Sequence, residues 1–172
     1  MADNGSFCGV KRCTAECFGR TPNTEKTKVL PYMSTSIRQN VTSPVLIVED
    51  EFIIASYLRD ALHDIGFSNV DITCDSRQAV KMAAEKKPAL LLMDVNLGPG
   101  RDGIEVFERI RKHGNPHAIF VTSYTDSSTY RRIKKVAPTA PILSKPVTPH
   151  LLESTIAQVF ANSISESPGR SR

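Results

Sequence analysis

No stretch of this 172-residue chain is apolar for long: none approaches the roughly 20 residues a membrane-spanning helix needs, so membrane insertion is not expected. The first residues, Met1 to Gly19, have no apolar core of the kind a secretion signal carries, and the expected location is the cytoplasm. Net charge is also missing from most of the chain. The total is +4, but residues 1–43 hold six Lys/Arg against three Asp/Glu, residues 163–172 hold two against one, and residues 44–162 hold 14 of each. The basic balance therefore sits at the ends and gives no strong case for a nucleic-acid-binding fold. Cysteine is scarce. Cys8, Cys13 and Cys17 have no fourth ligand nearby and no paired knuckle spacing, and Cys74 stands alone, so all four are read as free thiols in a reduced compartment. His63, His113, His117 and His150 share no metal-ligand spacing and are read as surface or packing residues. Internal repeats are absent.

What is present begins at Pro44. Residues 1–43 show no periodicity, are rich in Thr, Ser, Asn, Lys and Arg, and are expected to be a disordered extension, with 1–32 dispensable and Met33 a candidate natural start. Val45-Leu46-Ile47-Val48 then runs without a polar break into Glu49-Asp50-Glu51. Phe52, Ile53, Ala55, Leu58, Ala61, Leu62 and Ile65 recur at helical spacing up to Gly66. Asn69 to Cys74 alternates like a short strand, and Ser76 is placed as the cap of a helix with Ala79, Val80, Met82 and Ala83 inward. Residues 89–94 are read as a second buried strand, followed by a Gly98-Pro99-Gly100 turn and a helix that Asp102 or a neighbour starts. A third apolar strand, Ala118 to Val121, ends in Thr122-Ser123. A less apolar helix over 127–136, a short strand at 141–144 ending in Lys145-Pro146, and a final helix from Thr148 complete the domain, and residues 163–172 are expected to fray. Five strands alternating with five helices over 44–162 predict an α/β fold with a parallel sheet covered on both faces.

Uninterrupted apolar runs are the mark of strands buried on both faces, and a parallel sheet brings their carboxyl ends to one edge, where ligands bind. Here that edge collects Glu49 and Asp50, Asp94, Thr122 and Lys145. Singly, each has a plain structural role: acids as turn or helix caps, Thr as a strand former, Lys as a solvated charge. Together, in this chain order, they make Asp94 the candidate reactive carboxylate.

The motifs VLIVEDE, LLLMDVNLG, FVTS and LSKP, in order and over about residues 44–162, resemble the receiver domain of two-component response regulators. The resemblance implies a doubly wound, flavodoxin-like sheet of order 2-1-3-4-5. It implies that Asp94 is a phosphoacceptor, and that Mg²⁺ is held by Asp50 directly, by Glu49 through water, by Asp94 and by the backbone carbonyl of Asn96. Lys145 and Thr122 would engage phosphoryl oxygens, while Glu51 is a helix-start acid rather than a ligand. The protein would then be a phosphoacceptor signalling protein, promoting only its own phosphotransfer and dephosphorylation. Its expected partners are a histidine kinase or histidine phosphotransferase and an unknown protein effector.

Two departures from the family pattern concern the switch. The position three before the lysine, usually aromatic, is Ile142, and an aromatic stands instead at Tyr124, which resembles the alphaproteobacterial variant receivers with a FAT-like motif. Tyr124 and the loop to Ser128 are expected to carry the rearrangement, with Arg131, Arg132, Lys134 and Lys135 helping a partner dock. The ten residues after Asn162 are too few for a helix-turn-helix or catalytic output domain, so signalling by protein contact is expected. Alternatives are a phosphate sink or phosphorelay intermediate, a small-molecule phosphatase or phosphotransferase, and DNA binding through 131–135. The phosphatase reading lacks the DxD such enzymes place after their first strand. The basic run is more often a solvated or protein-docking helix face.

Overall fold

A computed structural model describes residues 37, 40–123 and 126–165. Five parallel strands, β1 Val45–Val48, β2 Val70–Thr73, β3 Leu90–Asp94, β4 His117–Thr122 and β5 Ile142–Ser144, form one sheet in the order β2-β1-β3-β4-β5. Between and after them run α1 Phe52–Ile65, α2 Ser76–Lys86, α3 Gly103–Ile110, α4 Ser127–Val136 and α5 Pro149–Ser165. Every residue of β1 and β3 is buried, as their unbroken apolar sequences require of strands covered on both faces.

Alternation along the strands splits the core into two layers. Val45, Ile47, Leu90, Leu92, Ile119, Val121 and Leu143 face α1 and α5, packing on Leu58, Leu62, Leu152, Ile156 and Phe160. Leu46, Val48, Leu91, Met93, Ala118 and Phe120 face α2, α3 and α4, where Phe107 meets Phe120 edge to face at 5.4 Å. The α1–α5 layer also takes in Ile37, which is 1% exposed, with Val41 against it. Ser68 N–H donates to the Val41 carbonyl at 3.2 Å, so core contacts reach into the segment expected to be an extension.

One cap differs from the sequence expectation. Asp75, not Ser76, caps α2: its backbone is extended and its carboxylate accepts from the N–H groups of Arg77 and Gln78. Ser76 is the first helical residue, and its buried hydroxyl finds no hydrogen-bond partner. Either residue type suits an N-cap, and only the backbone conformation decides between neighbours. Asp102, as expected, caps α3 by accepting from Ile104 N–H at 2.8 Å. Among the described residues no helix is long and apolar enough to cross a membrane.

Candidate functional site

The ends of β1, β3, β4 and β5 meet at one sheet edge because the strands are parallel and in register, Val48 beside Met93 and Asp94 beside Val121. Asp94 closes β3 and is buried. Lys145, just past β5, lays its ammonium between two carboxylates, 2.8 Å from Asp94 Oδ2 and 3.0 Å from Glu49 Oε1. Its N–H donates to the Thr122 carbonyl at 3.0 Å, which ties the lysine to the end of β4. Thr122 is fully buried.

Backbone packing fixes the nucleophile candidate from the other side. Asn96 N–H donates to Asp94 Oδ1 at 3.1 Å. Gly103, the first residue of α3, presses on the Asp94 peptide so closely that a Cβ there would lie 1.8 Å from the Asp94 carbonyl oxygen. Its N–H donates to the Val95 carbonyl at 2.8 Å. Only glycine permits that approach.

The pocket holds more negative charge than one lysine balances. Carboxylate oxygens of Glu49, Asp50 and Asp94 lie within 4.8 Å of one another. Glu49 Oε2 is buried without a hydrogen bond, although it lies 2.8 Å from the Lys145 ammonium in ionic contact. Burial first, then the Asp94 charge, pushes the Glu49 carboxyl up to about 7, against the opposing pull of Lys145. Asp50 is raised by the same two causes, while the Arg101 guanidinium draws it down. Burial alone would lower the Lys145 ammonium, but its hydrogen bonds to Asp94 and Glu49 and their charges raise it. Three carboxylates whose oxygens converge within 4.8 Å, two of them buried, are a donor set suited to a hard divalent cation. Glu51 stands at the N-cap of α1 without a side-chain capping bond, 4.0 Å from the lysine at its nearest.

Of the residues read from the sequence, Glu49, Asp50, Asp94, Thr122 and Lys145 are brought together. Tyr124 lies outside the described residues. Ile142 is half-buried and packs on the α2–α3–α4 layer. The basic run is largely engaged within the domain. Arg132 pairs with Asp102, Lys134 donates to the carbonyls of Pro138 and Ala140, and Arg131 Nε donates to the Ser127 carbonyl. Sequence reading missed Gly103 and Arg101. A glycine directly after a capping aspartate was the available signal for the first, and the second had none.

The likeness to known proteins agrees with this geometry. The chain is 28% identical over 122 residues to the Phyllosphere-induced regulator PhyR of Methylorubrum extorquens, covering 70% of this chain and 45% of that protein. It is 29% identical over 119 residues to the Probable chemotaxis protein CheY of Rhizobium etli, covering 67% and 91%. The chain thus spans under half the length of the first relative and most of the second. Among solved structures, the signal receiver domain of a modulated diguanylate cyclase from Desulfovibrio desulfuricans is 32% identical with a TM-score of 0.66, covering 73% of this chain and 99% of that one. The anti-anti-sigma factor PhyR of Bartonella quintana is 27% identical with a TM-score of 0.62, covering 76% and 52%. Residues 45–157 match the response regulator receiver domain, and the chain belongs to that family.

Proposed function

We propose that this receiver domain is a phosphorylation-dependent signalling switch. Asp94 accepts a phosphoryl group from a histidine kinase or histidine phosphotransferase, and the altered surface is read by a partner protein. The observation that supports it best is the Lys145 ammonium shared by Asp94 and Glu49 at the carboxyl edge of the sheet. In the transfer, an Asp94 carboxylate oxygen attacks phosphorus, the new P–O bond forms, the P–N bond to the donor imidazole breaks, and the imidazole leaves. Lys145 offers a fixed positive charge to the phosphoryl oxygens and costs no reorganisation, since it is already in place. Thr122, at the end of β4, supplies a hydroxyl for another oxygen.

Glu49, Asp50 and Asp94, with the backbone carbonyl of Asn96, are the residues that would hold Mg²⁺. When bound, the ion supplies the neutralising charge that lets an anionic carboxylate approach an anionic phosphoryl group. The same pocket would promote loss of the phosphoryl group to water, so the chain acts on its own modification and not on a separate substrate. Beside the pocket, α1 exposes Phe52 (51%), Ile53 (82%) and Tyr57 (44%), an apolar patch suited to a protein donor rather than to a small molecule.

With Mg²⁺ and acetyl phosphate, the wild-type chain should gain one phosphoryl group by intact mass, and Asp94→Asn should gain none. Equal labelling of the two would overturn the assignment. A phosphate sink would use this same chemistry, and is separated by finding no partner whose binding depends on phosphorylation.

A further inference from the structure

The loop between β3 and α3 carries a side chain that the roles above leave unused. Arg101 closes the turn after Gly98, its N–H donating to the Gly98 carbonyl at 3.1 Å and its carbonyl accepting from Leu97 N–H at 3.2 Å. From there its guanidinium reaches back across the sheet edge, where Nη1 donates to the Cys74 carbonyl at 3.0 Å. Cys74 follows β2, and β1 lies between β2 and β3. The arginine therefore spans the carboxyl end of β1, and Asp50 stands there.

Gly98 leaves the space in which the two charges approach. Its φ is +85°, and a Cβ built on it would lie 2.8 Å from Arg101 Nη2 and 3.1 Å from Asp50 Oδ2. The guanidinium and the carboxylate are thus no more than about 6 Å apart, close enough for substantial attraction in a partly shielded site. Lys145 serves the Glu49–Asp94 side of the acid cluster, and Arg101 the Asp50 side.

We propose that Arg101 is a positioning residue that acts as a resident cation at the Asp50 side of the pocket, holding Asp50 in place without metal and lowering the pocket's affinity for Mg²⁺. The inference rests on the reading of Glu49, Asp50 and Asp94 as a divalent-cation site. A guanidinium this close to a bound dication repels it, while its hydrogen bond to the Cys74 carbonyl keeps it from swinging fully into solvent. Metal affinity then depends on a loop residue that touches no phosphoryl oxygen.

The test is Mg²⁺ binding by the full chain, followed by calorimetry and by amide shifts in NMR, with no phosphodonor present. Arg101→Gln should bind Mg²⁺ roughly three- to tenfold more tightly than wild type, with the gap narrowing as salt is raised. Arg101→Lys keeps the charge without the fork and should stay near wild type, a rescue that a purely structural role would not produce. Lys112→Gln, removing an exposed charge beyond α3, should change nothing. Mg²⁺ binding that is unchanged or weaker in Arg101→Gln, with the fold intact by circular dichroism, overturns the role of Arg101 alone. No Mg²⁺-dependent shift at 49, 50 or 94 in wild type and Arg101→Gln alike overturns the cation-site reading and this inference with it.

Discussion

Glu49 touches Lys145 and is nearly sealed from solvent, and its carboxyl still holds a proton up to about pH 7, well above the ordinary 4.5. Between those two values the folded domain binds a proton that the unfolded chain has released. Glu49 therefore contributes a loss of stability as pH rises through that window. A divalent cation needs the ionised carboxylate and competes with the same proton. Mg²⁺ affinity should accordingly rise roughly tenfold between about pH 6 and pH 8, and Glu49→Gln should flatten the profile. Calorimetric titration at both pH values checks this, and a flat wild-type profile would mean that Glu49 is already ionised throughout. Gly103 makes a second residue-scale prediction. Gly103→Ala would drive a methyl group into the Asp94 carbonyl oxygen, and backbone cannot rotate away as a side chain can. A loss of about 1–3 kcal/mol or more in denaturant unfolding is expected, with Asp94 displaced.

Helices α2, α3 and α4 each begin on an aspartate cap, and one of these caps joins two elements. Asp102 accepts from Ile104 N–H at the start of α3 and also pairs with Arg132 on α4. Asp102→Asn should keep the cap and lose the ion pair, whereas Asp102→Ala loses both. The alanine variant should be about 1 kcal/mol less stable than the asparagine one in urea. Asp126 caps α4 through Ser128 and Thr129, whose hydrogen bonds hold its carboxyl well below the usual carboxylate range. That contribution is present above the ordinary value near 3.8 and disappears as the carboxylate takes a proton on acidification. Amide exchange at Ser128 and Thr129 should therefore quicken in strong acid and in Asp126→Ala. Sequence reading placed the elements well because the strands and the inward helix faces differ so plainly in apolar spacing. It singled out Asp94 because acids, a threonine and a lysine stand at four strand ends in one chain order, and a parallel sheet brings those ends to one edge. It mistook Ser76 for Asp75 because both are cap formers, and backbone angles are not written in side-chain chemistry. It passed over Arg101 because the residue's partners are backbone oxygen and a carboxylate brought near only by strand order. The basic run on α4 read as free charge, since its partners Asp102, Pro138 and Ala140 are set by how helices and loops pack.

Across the whole molecule, the core extends past the first strand to Ile37, which is sealed into the α1–α5 layer. Ile37→Ala should cost about 2–5 kcal/mol. A chain starting at Met33 should keep its Tm, whereas one starting at Pro44 should lose several degrees, because only the first retains Ile37. Equal Tm values would show that Ile37 adds nothing to the packing. The two layers on either side of the sheet carry a further consequence. By strand alternation Thr122 follows Phe120 of the α2–α3–α4 layer, while Lys145, just past β5, comes two residues after Leu143 of the α1–α5 layer. On the proposed reading, one phosphoryl group would engage both residues at once, and so would tug on two slabs of packing that the sheet keeps apart. The domain would then broadcast a single chemical event on two channels. One listener could sit over α1 and α5 and another over α4, neither touching the other, and a core substitution in one slab could deafen the first while leaving the second in full hearing.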